Sequence, residues 1–334
     1  MEQDQASETL DTESLLKSSA KYDKPWVERN GFPHWVMALF WVVVGLVSFQ
    51  LVGNIIGLIL IIVVKQPDLT APTPEFLQEL VETNLDLFFI GNTSGQILII
   101  LSASLLMMRM HALKGKRASF IRWQKGNNTL LITVLGVVLF IVGQPLVTFI
   151  GWLNESAFQA IAGGTEFYQF FNDLQTTSAD AIGNFLSQPG VMVLALFHVA
   201  LVPAICEEVM FRGYIMRAFE KNTTVIKAIV FSSLLFGAYH IQLGNLLPLS
   251  LLGFFMAYLA WASNSLIPAM VGHFVNNGSA VVLSILVPDF AQSLDVQNYE
   301  PSYLLVTASL VFTAAIIYIL IKIKHKSTQV DGAI

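Results

Sequence analysis

The chain has 334 residues, 54% of them hydrophobic and 12% charged, with a net charge of -5 and a mean hydropathy of +0.64. A soluble domain carries about 25% charged residues, so this composition excludes a disordered chain, a collagen-like fibre and a nucleic-acid binder with a basic face. The one cysteine, Cys206, excludes an intrachain disulfide and a Cys-based metal cluster.

Residues 1–33 are polar and acidic and lack the apolar core of a cleavable leader, so they are expected to form a solvated cytoplasmic tail. Three apolar stretches follow at 35–64, 87–108 and 129–153, within a region running from 34 to 189. Each is long enough for the roughly 20 residues of helix that cross a bilayer. The connection 154–189 carries the aromatic run Phe167, Tyr168, Phe170 and Phe171, and is expected to include a helix on the membrane surface. Four more stretches occupy 195–219, 225–241, 246–262 and 265–287, within 190–290. Residues 291–334 hold the last stretch, 303–323, and a basic tail. The expectation is an all-α polytopic bundle of about eight transmembrane helices, with the lipid bilayer as its surroundings and both termini cytoplasmic.

Charge sets the orientation. With the N-terminus inside, seventeen of the eighteen basic residues fall on the cytoplasmic side and only Lys65 lies outside, Arg212 being counted there although it sits within a span. The other side is almost purely acidic, from Asp68, Glu75 and Glu79 to Asp289, Asp295 and Glu300. This asymmetry is the positive-inside pattern, and termini on one side require an even number of spans.

Ionisable residues inside the spans are the exception, and such groups mark function because a charge in the bilayer costs a few kcal/mol. The fourth span reads LFHVALVPAICEEVMFRGYIMRAF and holds Glu207, Glu208 and Arg212. Glu208 and Arg212 stand four apart on one helix face, as an ion pair requires. Glu207 points about 100° away from Glu208 with no partner on its own helix, so it either holds its proton more tightly or finds a partner on another helix. His240, in LLFGAYHI, and His273, in GHFVNNGS with Asn277 one turn on, are the candidates. A Glu and a His can share a water and take its proton, and His and Asn can donate to an oxyanion. The same Glu207, His240 and His273 would alternatively serve as a zinc-binding set.

EEVMFR fits EExxxR, FGAYH fits FxxxH and HFVNN fits HxxxN, in that order on separate spans. This resembles the CPBP family, also called Abi, of CaaX proteases and bacteriocin-processing intramembrane endopeptidases. The resemblance covers roughly 190–290 and makes that segment the catalytic helical core. It implies Glu207 as the carboxylate that activates water, His240 as its partner, His273 and Asn277 as oxyanion donors, and Glu208 and Arg212 as supports that position Glu207. It implies a peptide or membrane-protein substrate, approached by analogy from the cytoplasmic face, and no nucleic acid. It leaves the metal open: no cofactor is firmly expected, zinc is the alternative, and Asn277 favours a metal-free site because Asn is a poor zinc ligand. A bacterial protein of this kind would sit in the inner membrane.

Two other classes compete. A bacteriocin-immunity factor or scaffold on the same fold need not keep Glu207, His240, His273 and Asn277 together. A proton-coupled transporter predicts an internal repeat, and the sequence has none. His198, nine residues before Glu207, is expected on the opposite helix face. Cys206 reads as packing, while Asn92, Thr93, Ser94 and Gln96 read as interhelical bonding or cavity lining. Pro145, Pro203 and Pro248 read as bends.

Overall fold

The computed structural model describes residues 23–70, 73–126, 128–287 and 299–331, which are helices and their connections with no strand among them. Most of the N-terminal tail, including Lys17 and Lys21, and the acidic positions Asp289 and Asp295 lie outside the described residues. We number the main helices α1 His34–Lys65, α2 Pro74–Glu82, α3 Leu85–His111, α4 Thr129–Val142, α5 Gln144–Ala162 and α6 Glu166–Leu186. They continue as α7 Met192–Glu220, α8 Val225–Tyr239, α9 Leu246–Ser263, α10 Ile267–Leu286 and α11 Tyr303–Asp331.

Each of the eight expected stretches is helical, but not all have the length of a span as single helices. Six helices (α1, α3, α7, α9 with its leading turn, α10 and α11) are long and apolar enough to cross a membrane, and the α4–α5 pair makes a seventh if it counts as one. That pair bends by 49° at Gly143, with Pro145 in the first turn of α5, as expected where a residue without an N–H interrupts the ladder. The fifth stretch is α8, with 15 residues. At 1.5 Å per residue it reaches about 22 Å, short of a bilayer core of about 30 Å. Pro248 does not bend α9: it sits in that helix's first turn, where its missing N–H has no partner to lose.

The charges sort to the two ends of the bundle. At the basic end, Arg122 donates to Glu220 at 2.7 Å, Arg217 Nε donates to the Phe120 carbonyl at 2.7 Å, and the Leu266 amide donates to the Arg122 carbonyl at 3.1 Å. These bonds join the α3–α4 connection, the end of α7 and the start of α10. At the acidic end, Asn154 of α5 exchanges 2.8 Å hydrogen bonds with the Leu243 carbonyl and the Leu247 amide. Tyr168 of α6 donates to Glu155 at 2.7 Å, and that carboxylate pushes the phenol up to about 12.

Backbones approach closely where glycines face each other. Gly53 and Gly57 on α1 meet Gly91 and Gly95 on α3, and a methyl at Gly91 would strike the Gly57 backbone. Two small-xxx-small stripes thereby bring the helices into backbone contact, and nearer the basic end Trp41 Nε1 of α1 also donates to Ser104 Oγ of α3 at 2.9 Å. Gly237 of α8 is held in the same way against Leu246 and Ser250 at the start of α9.

Candidate active site

Glu207 lies near the middle of α7, fifteen residues from Met192 and thirteen from Glu220. The helix is wound wider than α over Leu196–Leu201 and again over Val209–Ile215, on both sides of the Glu pair. Such π turns are rare and recur at functional sites. The first ends just before Pro203, which has no N–H to give the Val199 carbonyl four residues back. That carbonyl accepts instead from Asn277 Nδ2 of α10 at 3.0 Å. The proline thus helps to fix Asn277, one turn from His273.

Glu207, His240, His273 and Asn277 line one cavity of about 310 Å³. His273 Nε2 is 4.0 Å from Glu207 Oε2 and 3.3 Å from Asn277 Nδ2. The first distance is too long for a direct hydrogen bond; catalytic contacts often tighten only with substrate bound. His240 caps the end of α8 and its Nδ1 donates to the Phe236 carbonyl at 2.8 Å. In the neutral ring this leaves the Nε2 lone pair as acceptor. The next residue, Ile241, takes φ +56°, a left-handed conformation that a β-branched side chain avoids. That turn ends α8 at the cavity wall.

Glu208 does more than pair with Arg212. Its Oε1 accepts from Arg212 Nη1 at 2.7 Å and from His273 Nδ1 at 3.0 Å. Arg212 Nη2 donates to the Gly253 carbonyl of α9 at 2.8 Å, and its guanidinium lies 4.5 Å from the Phe236 ring centroid. Glu208 and Arg212 are fully buried. The ion pair expected from the i,i+4 spacing is therefore present, but the catalytic candidate its carboxylate touches is His273. Holding Nδ1 against Glu208 sets the ring so that Nε2 faces Asn277 and Glu207.

Sequence reasoning misplaced one neighbour. His198 was expected on the face opposite Glu207, yet it lines the same cavity and shares a 2.6 Å hydrogen bond with Thr93 of α3. The 100° step holds only in an α-helix, and the π turn at Leu196–Leu201 lies between the two residues. Asn92 and Gln96 of α3 also line the cavity. Gln96 Nε2 donates to Asn92 Oδ1 at 3.1 Å, while Gln96 Oε1 is buried with no partner. Ser94 faces elsewhere and donates to the Ile90 carbonyl. Cys206 is buried beside Glu207 and packs in the main core. Among the described residues no three His, Cys, Asp or Glu side chains are grouped so as to hold a metal ion, the set Glu207, His240 and His273 included.

Comparison with known proteins points to the same segment. Residues 189–279 match the family described as type II CAAX prenyl endopeptidase Rce1-like. Over 127 residues the chain is 28% identical to the "Putative membrane peptidase YdiL" of Bacillus subtilis (strain 168), covering 38% of this chain and 51% of that protein. The chain thus spans about half the length of the curated relative that it matches. No solved structure matches it. The family match covers the stretch that supplies Glu207, His240, His273 and Asn277, and the two comparisons together support a relationship to the CPBP family.

Proposed function

We propose that the protein is an intramembrane endopeptidase that cleaves a peptide or membrane-protein substrate with a water activated by Glu207. The observation that carries this reading is the meeting of Glu207, His240, His273 and Asn277, from three separate helices, in one cavity. A lone buried carboxylate would be costly; one that shares a polar cavity with two imidazoles and an amide has a use.

In the proposed reaction, Glu207 takes a proton from water while His240, with Nδ1 committed to the Phe236 carbonyl, accepts a hydrogen bond from the same water through Nε2. The hydroxide oxygen bonds to the substrate carbonyl carbon. Negative charge gathers on the former carbonyl oxygen, facing Asn277 Nδ2 and a protonated His273, whose positive charge the Glu208 carboxylate offsets. Collapse breaks the C–N bond, and the proton held on Glu207 passes to the leaving amine. No step is routed through a metal.

The test compares membrane-peptide fragments between wild type and Glu207→Gln, which keeps the size and removes the base. Fragments present only in wild type are the expected result. Identical fragment sets would overturn the protease reading in favour of an immunity or scaffold role. Metal analysis of the purified protein runs beside it, and stoichiometric zinc with chelator-sensitive cleavage would replace the metal-free mechanism.

A further inference from the structure

We infer that the cavity takes its substrate from the acidic, extracytoplasmic end of the bundle, and that it suits a peptide segment of net positive charge. This rests on the protease reading for the word substrate, but the accessibility of the cavity can be tested without cleavage.

The lining residues decide the direction. On α3, which starts at the acidic end, they are Phe89, Asn92, Gln96 and Ile100, the first three within the first half of Leu85–His111. On α9, which also starts there, they include Leu249 and Leu252, in the first two turns. On α8, which runs the other way, they are Phe236, Tyr239 and His240, at its far end. Ile182 of α6, a helix confined to the acidic end, borders the cavity and is 37% exposed. Toward the basic end the space is closed. Met210, Phe211, Arg212, Tyr214 and Ile215, the next turns of α7 below Glu207, each have 0% exposure. A substrate therefore has a path from the acidic end and a packed floor beneath Glu207.

Charge identifies both the side and the guest. Among the described residues, the basic end holds the cationic α3–α4 connection with Lys114, Lys116, Arg117 and Lys125. The positive-inside rule assigns that end to the cytoplasm. The cytoplasmic approach expected by analogy with CaaX processing would meet the closed floor. Around the open end stand Glu155, Glu166, Asp173 and Asp180 on α5 and α6, with Asp68, Glu75, Glu79, Glu82 and Asp86 around α2; Lys65 is the lone cation there among the described residues. A cleft ringed by one sign of charge concentrates ligands of the other.

The experiment uses the full-length protein with Cys206→Ser and single cysteines at Leu249, in the cavity wall, at Glu75 and at Lys114. Intact cells and inverted vesicles are treated with two membrane-impermeant thiosulfonates, one cationic and one anionic. Leu249→Cys and Glu75→Cys should react from the extracytoplasmic side and Lys114→Cys from the cytoplasmic side. At Leu249→Cys the cationic reagent should react roughly tenfold faster than the anionic one, with the ratio shrinking as salt rises. Reaction of Leu249→Cys from the cytoplasmic side overturns the proposal, as does no reaction there while Glu75→Cys reacts. Equal rates for the two reagents overturn the charge preference. Adding Glu207→Gln leaves the sidedness unchanged, so a failed protease reading and a failed direction of entry give different results.

Discussion

At the scale of single residues, Glu208 joins structure to chemistry. One of its oxygens serves both Arg212 and His273, and the Glu208 and Arg212 side chains have no exposure to water. Deleting the carboxylate strands a buried guanidinium, a loss of about 3–5 kcal/mol. Glu208→Ala should therefore lower the thermal midpoint of the purified protein steeply. Glu208→Gln keeps an acceptor oxygen and most of the shape but loses the charge that steadies a protonated His273. It should fold and show a reduced kcat with KM little changed. A Gln variant with wild-type kcat would remove Glu208 from the positioning of His273 and leave it a purely structural partner of Arg212. The pairing with Arg212 was legible because spacing of four places two side chains together on a helix. The contact with His273 was not, because it spans 65 residues and depends on how α7 and α10 are rotated against each other.

Helices were easier to read than their rotations. Apolar length located all eight stretches because each must satisfy its own backbone in lipid, and the structure shifts most boundaries by only a few residues. What hydropathy could not show was where the winding changes. The π turn at Leu196–Leu201 brought His198 to the cavity, and the early stop at Tyr239 shortened α8 while placing His240. The glycine stripes were legible and passed over: GNIIG at 53–57 and GNTSG at 91–95 each have the small-xxx-small spacing. Their pairing gives a prediction for the α1–α3 contact. Gly91→Val must push its side chain into the Gly57 backbone, and overpacking of this kind costs about 1–3 kcal/mol. The variant should unfold at lower temperature in detergent. Gly115→Ala, where nothing lies within 4 Å of the added carbon, should leave the midpoint unchanged. Equal midpoints for Gly91→Val and wild type would mean that the two helices are not locked by this contact.

Across the whole molecule the packing divides unequally, and the division bears on entry to the cavity. The main core runs through α1, α3, α4, α7, α8 and α9 and contains Met210, Phe211 and Phe255. A second, smaller cluster of Leu85, Phe185, Val191, Ala195 and Val281 pins the end of α6 to α3, α7 and α10. Phe185 is its largest member, 1% exposed and stacked on Phe89 with ring centroids 4.3 Å apart. The other end of α6 is held by Tyr168 on Glu155 and by the contact of Phe158 with Tyr168. Along its middle α6 presents Asp173, Thr176 and Thr177 to solvent. Helix α6 is thus fastened at its two ends, with Gln175 against the Gly244 turn between them and Ile182 at the cavity. Truncating a buried Phe to Ala costs about 3–5 kcal/mol, but here the loss falls on the small cluster. Phe185→Ala should therefore speed hydrogen exchange and proteolytic nicking within 166–190, with the thermal midpoint falling by less than in Gly91→Val. Leu249→Cys should also react faster with the cationic thiosulfonate in that background, because the helix bordering the cavity has lost the fastening nearest to Ile182. If the midpoint instead falls as far as in Gly91→Val, the two clusters unfold as one unit. In that case α6 belongs to the rigid body of the bundle.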